Sequence, residues 1–177
     1  MGLFSLFQRK LPLDTAQIEA AIADLERHTS AELRVVVERK AKGQPPARCC
    51  PTHKSAEFMQ QVDSQPCGVE PCTPAEQRAE RLFDELKMAE TAARNGVLIY
   101  LCFKPHYIAV IGDQGIHEKV GQEFWQSVYQ IMREHCRQGN FTQGICAAIA
   151  EIKMQLAAHF PIQPNDVNEL PNEVIVK

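Results

Sequence analysis

Two short apolar runs near the middle of the chain constrain its fold more than any other feature. The first, residues 97–99, follows Arg94-Asn95-Gly96, and the second, residues 108–111, ends in Gly112-Asp113-Gln114-Gly115. Runs of this length, rich in Val, Ile and Leu, predict two buried strands joined by a tight connection through Lys104-Pro105-His106. Asp113 falls where the second strand stops. The glycines on either side let the backbone turn sharply there, so its carboxylate can face a ligand.

The rest of the chain alternates between helical and extended patterns. Residues with three-and-four apolar spacing predict four helices, and weak alternation predicts one further strand. The predicted elements are a helix from Asp14 or Thr15 to about His28, a strand at Glu32–Arg39, a helix from Thr73-Pro74 to about Ala92, and helices at about Glu118–Gln138 and Thr142–Phe160. This order predicts an α/β fold, a three-layer α/β/α sandwich with a small mixed sheet. The sequence has neither a dinucleotide glycine fingerprint nor a P-loop, so we expect no nucleotide.

Size and charge narrow the function classes. A chain of 177 residues fits one domain, and a net charge of −3 gives no support for nucleic-acid binding. We divide it into an N-terminal tip (1–13), a domain (14–161) with a Cys- and Pro-rich insert (41–73), and a C-terminal tail (162–177). No apolar run reaches the roughly 20 residues that span a bilayer. In residues 1–10 the positive charges follow the apolar ones, unlike a secretory signal, so we expect a cytoplasmic protein with at most weak membrane contact there.

Three polar side chains are predicted at neighbouring strand ends. Glu32 begins the first strand, Asn95 precedes the second and Asp113 follows the third. Carboxylate and amide oxygens are the ligands that Ca²⁺ and Mg²⁺ prefer. The sequence therefore predicts Glu32, Asn95 and Asp113 as candidate ligands of a divalent cation.

Several dispersed segments resemble the TPM domain family, whose members include a thylakoid-lumen protein of photosystem II repair. The segments are Thr29–Val37, Arg94–Ile99, Ile111–Ile116, Ala157–Pro161 and Asn168–Glu173, and the last two are similar to a short subgroup of the family. The resemblance implies an α/β/α sandwich of Rossmann-like appearance, divalent-metal binding and, from a plant member, acid phosphatase activity. Asp113 and Asn95 match the family's Gly-Asp and Asn-Gly positions, and Glu32 is carried over more loosely.

The insert holds a second candidate site, made of Cys49, Cys50, His53, Cys67 and Cys72. Paired Cys and His residues separated by a spacer are typical of a loop that folds on zinc. Free or redox-active thiols and disulfides remain as alternatives, although the lack of a secretory signal favours a reducing compartment. The insert lies between the first strand and the next helix, where it could overhang Asp113.

Three functions follow from these observations. The first, implied by the resemblance, is a divalent-metal-binding accessory or interaction domain with an unidentified protein partner, active in the maintenance of membrane protein complexes. The second is a weak metal-assisted acid phosphatase in which Asp113 is the catalytic residue. The third is a zinc-ordered or redox-responsive regulator that acts through the insert.

Overall fold

The computed structural model describes residues 11–41, 73–164 and 166–177. Within these ranges the chain forms a four-stranded sheet and four α-helices. The elements are α1 (Thr15–Glu26), β1 (Glu32–Glu38), α2 (Pro74–Glu85), β2 (Gly96–Cys102), β3 (Tyr107–Gly112), α3 (Gln114–Arg137), α4 (Phe141–His159) and β4 (Ile175–Val176). The strand order is β3-β2-β1-β4. β1 runs parallel to β2 and β4, and β2 runs antiparallel to β3, so the sheet is mixed as predicted.

Helices cover both faces of the sheet. All seven residues of β1 and of β2 are buried, which requires cover on each side. On one face, Leu33, Val35 and Val37 of β1 pack with α1, α3 and α4. On the other face, Val36 packs with α2. The predicted three-layer α/β/α sandwich is therefore confirmed.

The α2 face of β1 carries charge. Alternation along a strand places Glu32, Arg34 and Glu38 on the same side as Val36, and all three are less than 10% exposed. On this side α2 packs mainly against β2 and β3, while Leu170 and Ile175 from the end of the chain also join the apolar cluster. Among the described residues, the part of this face that lies over β1 is thus covered by the end of the chain more than by α2.

Two helix boundaries differ from the predicted ones for local reasons. α3 begins at Gln114, before the predicted Glu118, because the Asp113 side chain accepts the Gln114 N–H and caps the helix. The helix is then interrupted by a kink at Gly121, whose φ of 72° and ψ of 176° are not helical. The helix predicted to run to Ala92 ends at Glu85, since Lys87 adopts a left-handed φ of 56° and a 3₁₀ turn, Met88–Glu90, follows.

The first and last residues of the insert lie at one end of the strands, and Asp113 lies at the other end. The Ala41 N–H donates to the carbonyl of Lys104, just beyond the last residue of β2. Thr73 caps α2 at this same end of the strands. Asp113 N–H instead donates to the Gly96 carbonyl, where β2 begins. A seven-residue strand spans about 20 Å, so Ala41 and Thr73, at the two ends of the insert, are separated from Asp113 by about the length of a strand. The predicted overhang concerns residues 42–72, which lie outside the described residues.

No helix in the described ranges is long and apolar enough to cross a membrane.

Candidate functional site

The Asp113 carboxylate accepts hydrogen bonds both from the first turn of α3 and from the guanidinium of Arg94. Its Oδ1 accepts the Gln114 N–H at 2.7 Å and Nη2 of Arg94 at 2.8 Å, and its Oδ2 accepts Nε of Arg94 at 2.7 Å. The Asp113 side chain is 4% exposed, whereas that of Arg94 is 54% exposed. Arg94 itself has a left-handed φ of 51°. The result is a buried carboxylate covered from the solvent side by one movable arginine.

Asn95, the residue after Arg94, has a buried side-chain oxygen at the start of β2. Its Nδ2 donates to the Ser30 carbonyl, which fixes the orientation of the amide. Its Oδ1 is buried and has no hydrogen-bond partner within the part of the chain that the structure describes. Buried polar atoms are nearly always paired, so we expect this oxygen to bind a water molecule, a cation or another donor.

Glu32 lies at the same end of the strands as Asp113, but its hydrogen-bond partners are different. Its backbone N–H donates to the Asn95 carbonyl at 3.2 Å. Its two carboxylate oxygens accept the backbone N–H groups of Glu169 and Leu170, at 2.9 and 3.1 Å. The side chain therefore anchors the C-terminal residues in this structure.

The three predicted ligands lie at the same end of the sheet, on three neighbouring strands. β1 and β3 flank β2, so Glu32 and Asp113 are separated by two strand spacings, about 10 Å. Between them, Met88 packs so closely over Gly96 that a Cβ there would lie 2.7 Å from the Met88 carbonyl. Among the residues with described positions, no group of three or more His, Cys, Asp or Glu side chains has metal-site geometry. Cys49, Cys50, His53, Cys67 and Cys72 lie outside the described residues.

Glu26 is a residue that the sequence reasoning missed. It ends α1, and its Oε2 accepts the side-chain amides of Asn168 and Asn172. Burial, followed by the nearby charge of Glu32, raises the pKa of Glu26 to about 7. The surrounding groups come from distant parts of the chain, so no local pattern in the sequence marks this position.

This raised pKa predicts a pH-dependent contribution to stability. The folded state binds the Glu26 proton more tightly than the unfolded chain, so the contribution is complete below pH 4.5 and is lost as the pH rises through about 7. For a half-buried carboxyl we expect a loss of about 1 to 2 kcal/mol after solvent screening. Urea unfolding of the wild type and Glu26→Gln at pH 5 and pH 8 measures it, as the variant cannot titrate.

A carboxylate on the same helix gives the matched control. Hydrogen bonds from Lys153 and then Arg27 lower the pKa of Asp24. A lowered pKa gives stability that is present above pH 3.8 and is lost only as the pH falls through the folded value. Asp24→Asn should therefore shift stability equally at pH 5 and pH 8. A Glu26→Gln difference that stays constant over this range would contradict the assignment.

A second polar cluster lies at the other end of the strands, around Glu38, the last residue of β1. Glu38 accepts Nη2 and Nε of Arg78, at 2.6 and 3.3 Å, and the Tyr100 hydroxyl at 2.8 Å. Burial acts to raise the pKa of Glu38, but the hydrogen bonds from Arg78 and Tyr100 outweigh it and lower the pKa. The oxygens of Glu38 are fully engaged, so we interpret this cluster as structural.

Comparison with known proteins agrees with this fold. A family model described as the TPM domain matches residues 68–155. The NMR structure of the BA42 protein from the psychrophilic bacterium Bizionia argentinensis is 28% identical, with a TM-score of 0.72, over 97% of this chain and 99% of that one. The N-terminal domain of a protein from P. gingivalis shares the fold at 16% identity and a TM-score of 0.58, over 85% of this chain and 80% of that one. No curated protein gave a match. The chain belongs to the TPM domain family.

Proposed function

We propose that this TPM domain is an accessory or interaction module that binds a divalent cation, Ca²⁺ or Mg²⁺, at Asp113 and Asn95. The observation that carries the proposal is the buried Asn95 Oδ1, which has no partner among the described residues. An amide oxygen and a carboxylate at adjacent strand ends form a hard, oxygen-only donor set of the kind these cations prefer. Glu32 belongs to the same edge and contributes charge there.

Arg94 is the main competitor for such a cation. Its guanidinium forms a bidentate pair with both oxygens of Asp113, as a cation would. The arginine side chain is more than half exposed, so it can move into solvent at small cost. Cation binding would then exchange one positive partner of Asp113 for another, and the affinity would depend on how tightly Arg94 holds.

Terbium luminescence tests the site because the only tryptophan of the chain lies beside it. Trp125 packs against Gly112, the residue before Asp113, and can sensitise a Tb³⁺ ion held at the Ca²⁺ position. We expect sensitised emission that Ca²⁺ competes away. Asp113→Asn should abolish it while the fold is retained, because Asn is also a good helix N-cap. Arg94→Gln should strengthen binding severalfold, because it removes the competing charge.

Glu134→Gln is the control, since Glu134 is an exposed carboxylate near the last turn of α3, whereas Asp113 precedes the first turn of that helix. Its binding curve should match the wild type. Equal Tb³⁺ and Ca²⁺ binding by the wild type and Asp113→Asn, or weaker binding by Arg94→Gln, would refute the proposed site. The proposal also expects no phosphate-ester hydrolysis above that of Asp113→Ala, and turnover above it would favour the phosphatase alternative.

A further inference from the structure

The last twelve residues of the chain form a strap along the open edge of β1. The strap, residues 166–177, ends in β4, which pairs in parallel with Val36 and Val37. The Lys177 N–H donates to the Val37 carbonyl, and the Lys177 carbonyl accepts the Arg39 N–H. The strap therefore completes the sheet as a peptide ligand would, through backbone pairing at an edge strand.

Carboxylates of the domain hold the rest of the strap. Glu32 accepts the backbone N–H groups of Glu169 and Leu170, and Glu19 accepts that of Val174 at 3.1 Å. Glu26 accepts the side-chain amide of Asn172. In the reverse direction, the Glu169 carboxylate accepts the Ala92 N–H at 3.2 Å. Glu26 also accepts the side-chain amide of Asn168, so recognition depends on an extended backbone and on two amide side chains.

The strap buries little apolar surface against the domain. None of its residues is buried: Val167 is 71% exposed and Val176 45% exposed, while Leu170, Val174 and Ile175 are half-buried. Asp166 and Asn168 of the strap and Glu26 and Glu32 of the domain line a pocket between them, so packing is incomplete. Apolar burial is the main source of stability in packed elements, and the strap has little of it.

The surface beneath the strap is charged. Glu32 is 4% exposed and Arg34 is 7% exposed, and Arg34 is close enough to Glu173 of the strap for their charges to interact. Keeping charged groups out of water costs free energy, and hydration would recover part of that cost if the strap left. A segment that covers charges and buries few apolar groups is well suited to reversible release.

We propose that the strap is a detachable internal ligand, and that the β1 edge with Glu19, Glu26 and Glu32 is a recognition site for an extended segment of another protein. The segment that fits presents two consecutive backbone N–H groups to Glu32 and two amide side chains, four residues apart, to Glu26. It ends in a β-branched apolar pair that extends the sheet beside Val36 and Val37. The strap occupies this site until such a segment displaces it. This proposal does not depend on cation binding at Asp113.

A labelled peptide with the sequence of residues 166–177 tests the site on the full-length chain. In the wild type the strap competes at a high local concentration, so fluorescence anisotropy should detect only weak peptide binding. The double variant Asn172→Ala/Ile175→Asp weakens the strap and leaves the receiving surface unchanged. We expect it to bind the peptide about tenfold more tightly or better, because internal competition is reduced.

Three controls separate recognition from loss of structure. Val167→Ala, at an exposed strap position, should bind the peptide like the wild type. Adding Glu32→Ala to the double variant should remove binding, and a scrambled peptide should not bind at all. Equal affinity of the wild type and the double variant, or binding that survives Glu32→Ala, would overturn the proposal. Concentration-dependent dimers without peptide would identify a second copy as the occupant and overturn the assignment to a foreign segment.

Hydrogen exchange on the wild type gives a test that needs no variant. The amides of Glu169, Leu170 and Val174 should exchange faster than those of Ile99 and Tyr100 in β2, because the strap opens without global unfolding. Strap amides that exchange only through global unfolding would show a permanent part of the fold, and the proposal would fail. Loss of Tb³⁺ binding in Asp113→Asn would leave these results unchanged, so the two proposals fail separately.

Discussion

Replacing Arg78 with Met is expected to lower the free energy of unfolding by roughly 3 to 4 kcal/mol. Arg78 is the only described cation that pairs with Glu38, whose side chain is 1% exposed. Removing it leaves a buried carboxylate with the Tyr100 hydroxyl as its remaining side-chain donor. Breaking one partner of a buried pair is costly because the other charge stays uncompensated. Urea unfolding at pH 7, monitored by circular dichroism, measures the change.

Arg81→Met provides the comparison on the same helix. Arg81 lies on the exposed side of α2, and its replacement should change stability by less than about 0.5 kcal/mol. The effect of Arg78→Met should also shrink in acid. The Glu38 pKa is lowered in the folded state, so the stability that the pair provides is present above pH 4.5 and is lost as the pH falls through the folded value. Equal destabilisation by Arg78→Met and Arg81→Met would show that the pair contributes little.

The layers of the fold were predictable because its signals are local. An apolar run such as residues 97–99 predicts a buried strand from its own composition. The spacing of Ile18, Ile22 and Leu25 likewise predicts the buried side of α1. The Pro74 helix start was also visible, since Thr73 and Glu76 form a capping box three residues apart. Each of these features depends on residues within one or two turns of each other.

The candidate site was only partly predictable because its contacts span long distances in sequence. Asp113 was identified from the glycines around it, but its pairing with Arg94, 19 residues away, leaves no pattern in the chain. Glu32 was expected beside Asp113, yet it meets Glu169 and Leu170, 137 and 138 residues further on. Glu32 and Asp113 are apart because β2 lies between β1 and β3. The periodicity of a sequence does not predict the order of strands in a sheet.

Gly112→Ala is expected to lower the free energy of unfolding by roughly 2 to 3 kcal/mol through overpacking. Gly112 ends β3 beneath the ring of Trp125, which is 7% exposed. A Cβ on Gly112 would overlap the ring, approaching Cζ2 most closely and lying 2.7 Å from Cη2. The ring must move, and it packs edge-on against Phe124 in the layer of α3. The same variant should disturb the start of α3 and therefore weaken Tb³⁺ emission.

A double-mutant cycle with Trp125→Leu isolates this contact. Trp125→Leu alone is destabilising, because it removes a large buried ring and leaves unfilled space. Adding Gly112→Ala to that background should cost less than about 1 kcal/mol, since the smaller side chain no longer occupies the position of the new Cβ. If Gly112→Ala is equally costly with and without the indole, the close approach of Trp125 is not the reason for glycine here, and the strand end itself requires it.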